Sequence, residues 1–469
     1  MEIIGSANQK KAGGVQRSVI NFFTAMSEKL MENVKKTKKI GEDDPRRIVH
    51  SIKVGLALTL VSLFYYFRPL YDGFGQAGMW AILTVVVVFE FTIGGTLSKS
   101  INRGVATLLA GALGVGAEYL AGLCGDKGEP IVLGLLVFLL AATSTFTRFI
   151  PHVKKKYDYG VLIFILTFSL VAVSGYRVNL ILQLAHQRLA TILLGGATCI
   201  IISIFVCPVW AGQDLHNLVS GNIEKLATFL EGFGGDDDKD KSYLEGYKNV
   251  LNSKATEESL ANFAWWEPAH GGFRYNHPWK HYLKIGGLSR ECASHIETLA
   301  GYSVNSKHTQ AKEASSSELH LKIQPSCKKL STESGEALRE LATALKNKTF
   351  PSAAAETHIK NSKSAAEELK RVLENSSLLP TKLDLQEIMP LLVTSSVLID
   401  VVACVERIAV SVNELSEKAG FVREAVSADQ KQLLRRGIVK PVDDEHGVVI
   451  EINDKLGDSV ENMKTVNII

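Results

Sequence analysis

Four basic residues lie within or at the margins of long apolar stretches: Lys53, Arg103, Arg148 and Arg188. A charge near the centre of a bilayer costs about 2.5–3.5 kcal/mol on insertion scales, so a chain that keeps several usually uses them. Cations held in a membrane bundle with few nearby carboxylates stabilise anions, which is the chemistry of an anion pathway. The four positions are not equivalent. Lys53, Arg103 and Arg148 lie within snorkelling reach of one interface, so interface anchoring and pore lining fit them equally. Arg188 sits four residues beyond Leu184, flanked by Ala185, Leu189 and Ala190, and is the stronger candidate for lining.

Glu90, in VVVVFEF, reads as the one acid well inside an apolar stretch. A lone carboxylate there must protonate or find a partner, and a salt bridge with Arg103, Lys53 or Arg148 is the expected outcome. Proton coupling is the alternative; only Glu118 and His186 stand in comparable surroundings, both near the opposite side.

Other residue types are less eloquent. His270, His277 and His281, with Glu267, follow Trp265 and Trp266 in one short segment, but spacings of seven and four match no zinc motif. A structural loop wedged between helices is expected there. The six cysteines form no CxxC pair, which argues against disulfides and structural zinc. No phosphate loop, nucleophile elbow or dinucleotide fingerprint occurs, so the chain reads as no enzyme and calls for no cofactor. A net charge of +3 is too mild to point to nucleic acid.

The elements that must hold these charges are legible from hydropathy. Six apolar stretches, Ile52–Phe67, Gly78–Gly95, Gly104–Gly122, Ile131–Ile150, Gly160–Gly175 and Leu184–Val206, several of them short, are adequate for a hydrocarbon core of roughly 30 Å. Short connections make them three helical hairpins. Lys and Arg cluster on one side (Lys35–Lys39, Arg46, Arg47, Lys99, Lys154–Lys156), which places both termini in the cytosol. Glycines in Gly104–Gly122 and at Gly195–Gly196 suit close helix packing, with a solvated pore as the alternative for some. Met1–Gly14 has no apolar signal core, and Val15–Lys39 reads as an amphipathic helix, on lipid or on the protein's own soluble region.

After Trp210 the pattern becomes that of amphipathic helices, up to Leu383–Ala419. Met389–Val412 is apolar enough to imitate a seventh span, but Asp400, Glu406 and Arg407 interrupt it, so a buried helix of a soluble bundle is expected. The fold class is therefore an all-α membrane protein, six transmembrane helices followed by a cytosolic helical bundle. The divisions are 1–45, an N-terminal segment; 46–208, the membrane domain; 209–420, the helical domain; and 421–469, a polar tail. Six short spans make a modest wall, so a homodimer sharing one pathway is the economical assembly. The function classes left open are an anion channel, a secondary exporter of organic or aromatic acids, and a membrane sensor.

Five segments carry a specific resemblance: GEDDPRRIVHSIKVGLAL, MWAILTVVVVFEFTIGGTLSKSINRG, RFIPHVKKKYDYG, CPVWAGQDLH and WEPAHGGFRYNHPWKHY. In order, from about Gly41 to Gly420, they resemble the plant aluminium-activated malate transporter family. The resemblance implies dimeric anion channels that pass malate and other anions, with six spans and cytosolic termini. It places pathway residues at Lys53, Arg103, Arg148, Lys154, Lys155, Lys156, Arg177 and Arg188, and a structural or regulatory mark at Trp266-Glu267-Pro268. It also implies a plasma-membrane address, with the vacuolar membrane as the alternative. Aluminium is a hard cation that wants carboxylates. The loop YRVNLILQ before the last span has none, which leaves Asp72 as the candidate ligand and puts the aluminium trigger in doubt.

Overall fold

The computed structural model describes residues 26–66, 78–175, 181–234, 246–309, 318–374 and 385–423. Asp72, Arg177, Asn179, the first part of the expected N-terminal helix and nearly all of the tail lie outside the described residues. Residues 26–43 are helical and largely exposed. Then come α1 (Pro45–Tyr66), α2 (Met79–Val88), α3 (Ile93–Gly122), α4 (Gly125–Thr147), α5 (Pro151–Lys156), α6 (Asp158–Gly175) and α7 (Ile181–Phe205). They are followed by α8 (Ala211–Gly234), α9 (Gly246–Leu251), α10 (Lys254–Ala264), α11 (Trp279–Thr309), α12 (Glu318–Asn347), α13 (Ala353–Glu374) and α14 (Leu385–Ala419). Among the described residues the only β pairings are two isolated bridges, His270 with Phe273 and Thr349 with Val422.

Six of these helices are apolar. Pro45–Phe64, Ile93–Gly122, Lys127–Thr147 and Ala185–Phe205 are long enough to cross a membrane, while Met79–Val88 and Asp158–Ser174 are shorter. Their outer faces leave Leu108, Leu113, Phe138, Phe146, Val173 and Ile201 exposed, a surface that suits lipid and not water. The second span differs from the hydropathic reading. Gly78–Gly95 is no single helix: it stops at Val88, Phe89 turns to extended backbone, and Ile93–Gly95 belong to the next helix. Thr92 makes the break, accepting from the Gly95 N–H as N-cap, while the Thr96 hydroxyl bonds the Glu90 backbone. The third span gains what the second loses. At 30 residues α3 is roughly 45 Å long, more than a hydrocarbon core needs.

The chain divides into two compact units, Met1–Val219 with Asn252–Gly286, and Ser220–Leu251 with Gly287–Ile469. Compactness thus divides the chain differently from hydropathy, because a polar segment groups with the apolar helices. In the first unit α3 packs on α4, α6 and α7, while α1 and α2 pack on α7. One apolar cluster joins Ala57 and Val61, Ala81 and Val85, and Cys199 and Ile202, from α1, α2 and α7. A second joins Ala110 and Ala117, Leu133, and Phe168 and Ala172, from α3, α4 and α6. Small residues permit the approach. A Cβ on Gly195 would lie 2.8 Å from the Ala81 carbonyl oxygen, and one on Gly114 2.7 Å from Val171. Gly111 and Gly116 face open space instead.

In the second unit α12, α13 and α14 pack on one another. Leu398, Val401, Val405, Ile408, Val412 and Leu415 of α14 are fully buried, whereas Asp400 and Arg407 are exposed. One stripe of a helix is apolar because it meets other helices, as a bundle member requires. Helix α12 starts at Glu318 and runs through Pro325.

Candidate functional site

Arg103 lies on α3, 3% exposed, and Arg188 on α7, 6% exposed, so both guanidinium-bearing side chains are buried among apolar helices. Arg188 is the eighth residue of α7, deeper than its position in the apolar stretch implied. The two are within electrostatic reach, and their like charges repel. Among the described residues neither has a carboxylate within ion-pairing distance. Arg103 donates to the Tyr159 hydroxyl at 3.2 Å, and its buried Nε has no hydrogen-bond partner. Arg188 lies over the Trp80 ring, 3.8 Å from its centroid. The π face offers a desolvated cation up to about 2 kcal/mol and leaves its hydrogen-bonding edge free.

Lys53, Arg148 and Lys156 have other partners. Lys53, 2% exposed, donates its ammonium to the Cys207 carbonyl at 2.7 Å. Cys207 has a left-handed φ of 44°, and the lysine satisfies the chain where α7 has ended. Arg148 grips Asp158 with two hydrogen bonds, 2.7 and 3.2 Å, tying the end of α4 to the start of α6. Lys154 and Lys155 are exposed. Lys156 stands 3.6 Å from the centroid of the Trp265 ring.

Glu90 is paired, but with a partner other than those expected. Its carboxylate meets Lys99, and both side chains are about a third exposed. The break at Phe89–Thr92 moves Glu90 out of a helix interior to a helix margin, which brings it level with the second turn of α3. Trp80, Tyr159, Lys99 and Asp158 were all missed as partners. Each is ordinary by residue type, and only packing gives it a role.

The Trp-Glu-Pro segment forms a clasp within the first unit. Glu267 is 6% exposed and accepts from three backbone N–H groups: Ala211 at 2.7 Å, Gly212 at 2.9 Å and Gly94 at 3.1 Å. The first two open α8 and the third lies in the first turn of α3. One carboxylate therefore satisfies the positive ends of two helices. Burial pushes its carboxyl up, and the three N–H donors pull the other way. Around it, Asn262 donates to the Lys155 carbonyl at 2.8 Å, Trp266 meets the Tyr157 ring edge to face, and a Cβ on Gly94 would strike the Phe263 carbonyl at 2.3 Å. His270 stacks on Trp210, and His277 packs among Phe273, Trp279 and Tyr282. Among the described residues these histidines form no metal-sized cluster with Glu267.

At the far end of α3 a different charge is gathered. Glu118 and Glu129 repel each other across α3 and α4, and the buried Glu118 Oε2 has no hydrogen-bond partner.

Apolar helices long enough to cross a membrane, around buried arginines with no carboxylate partner among the described residues, mark a membrane protein. Comparison with known proteins sharpens that class. Residues 38–382 match the family described as aluminium activated malate transporter, and the chain belongs to it. Aluminum-activated malate transporter 2 of Arabidopsis thaliana is 50% identical over 84% of this chain and 79% of its own length. Aluminum-activated malate transporter 1 of the same plant is 45% identical over 93% of this chain and 91% of its own. Its namesake from Triticum aestivum is 47% identical over 87% and 91%.

Proposed function

We propose that this chain is an anion channel that passes malate, with other organic or inorganic anions, across a plant membrane. The observation that supports it is the buried pair Arg103 and Arg188, cations whose like charges repel and for which no described carboxylate compensates. An anion between them relieves that repulsion, and guanidinium forks suit a carboxylate. Residues 46–208 form the membrane domain and 209–420 the cytosolic domain, with both termini in the cytosol. Two copies share the pathway, which gives a dicarboxylate paired cations at each end. Lys53 and Arg148 hold helix ends, Lys154–Lys156 and Arg177 raise the local anion concentration at the mouths, and lipid covers the exposed apolar faces. The address is the plasma membrane.

The decisive experiment is a recording from an isolated patch, with malate on one side and nitrate or chloride on the other. Currents whose reversal follows the malate gradient, independent of the pH gradient, are expected. Reversal that tracks protons overturns the channel in favour of a secondary exporter. External aluminium acts weakly in this reading, because the last outer loop lacks carboxylates and Asp72 is the remaining candidate ligand. Strong activation that Asp72→Asn abolishes would overturn that part alone.

A further inference from the structure

Helices α11 and α14 of the second unit bring together donors that are far apart in sequence. Glu291 and His295 are one helical turn apart on α11, and Cys404 faces them from α14. One atom of each, a carboxylate oxygen, an imidazole nitrogen and the Cys404 Sγ, lie within 4.8 Å of one another. Tetrahedral zinc binds such donors at ~2.0–2.3 Å, so neighbouring donors stand some 3–4 Å apart around the ion, and modest side-chain movement closes the set. Cys404 is buried, His295 half-buried and Glu291 exposed, so a cation can enter from the Glu291 side.

A cation already sits there. Arg407 forks the Glu291 carboxylate at 2.8 and 3.0 Å, and the same guanidinium touches Cys404 Sγ at 3.1 Å. An arginine donates and never accepts, so the sulfur takes the acceptor role it would have toward a metal. Its stem leads out to solvent, with the side chain 48% exposed, so it can swing away. We propose that Glu291, His295 and Cys404 form a binding site for a thiophilic divalent cation of the zinc class, held closed by Arg407 in the metal-free protein. Binding exchanges the guanidinium for the metal and releases the Cys404 thiol proton to solvent, so affinity rises with pH. The groups facing that thiol are Arg407 and Asp400 from its own helix and Glu291, Cys292 and His295 from α11. The occupied site pins α11 to α14.

The test uses the full-length protein in detergent, titrated with zinc against a chromophoric chelator and separately with cobalt. One equivalent per subunit and a thiolate-to-cobalt charge-transfer band are expected. Cys404→Ser removes the band, and His295→Gln weakens zinc binding by more than the ~10–100-fold that loss of an outer partner costs. Arg407→Gln does the opposite and tightens binding about tenfold, one decade per 1.4 kcal/mol, a gain that misfolding cannot imitate. No binding, or binding indifferent to all three substitutions, overturns the site.

Discussion

The apolar helices and the helical bundle treat arginine in opposite ways. In the bundle, Arg339 forks Glu231 and Arg407 forks Glu291, and all four side chains are substantially exposed. Among the apolar helices, Arg103 and Arg188 are almost wholly buried, yet a tyrosine hydroxyl and an indole face are what they meet. Energetics alone would favour the reverse, since an exposed pair contributes under ~1 kcal/mol and a buried charge is where a partner matters most. If the proposed pathway runs past Arg103 and Arg188, the charge that no described carboxylate compensates is the charge a mobile anion would complete, whereas the bundle's arginines are already paired. Arg148, at the boundary, follows the bundle's rule.

The largest expected effect comes from removing one member of the uncompensated pair. Arg188→Ala is expected to cut malate current roughly a hundredfold, about 2.7 kcal/mol, with surface expression little changed. A variant that traffics and conducts like the parent would make Arg188 an anchor and erase the contrast. Next comes the carboxylate that is buried among backbone donors. Glu267→Gln keeps the size but offers three backbone N–H groups a weaker acceptor, and a loss of about 2–3 kcal/mol is expected in thermal unfolding of the detergent-solubilised protein. An unchanged melting curve would show that the two helix ends do not depend on the clasp.

The pair at the helix break is smaller. With Glu90 and Lys99 each about a third exposed, Glu90→Gln is expected to cost about 1 kcal/mol or less, seen as lower folded yield or shifted gating. A channel altered only by losing its pH dependence would point to proton coupling. Smallest of all is the Arg407 pair. The guanidinium holds the Glu291 carboxyl below its ordinary value of 4.5, so the pair's stabilisation is present above 4.5 and fades as pH falls through the lowered value. After solvent screening this amounts to under ~1 kcal/mol. An unfolding midpoint of Arg407→Gln that differs from the parent near neutrality and converges with it in acid would show it.

Sequence alone determined a good deal. Runs of apolar residues cannot be satisfied in water, so an apolar region of several membrane-type helices followed by an amphipathic bundle was readable from hydropathy and period. Family likeness was readable from long local strings such as WEPAHGGFRYNHPWKHY. The burial of Arg188 in an apolar helix was legible for the same reason, although its depth was not. What only the tertiary structure decided are the partners. Glu90 meets Lys99 because Thr92 caps a new helix and breaks an apolar run, and a cap is a local hydrogen bond that hydropathy does not weigh. Glu267 holds α3 and α8 because two distant helix starts converge on it. Arg103 and Arg188 come within electrostatic reach because α3 packs on α7, and the donors around Arg407 meet because α11 lies by α14. Each depends on contacts between residues far apart in the chain, which neither composition nor spacing encodes.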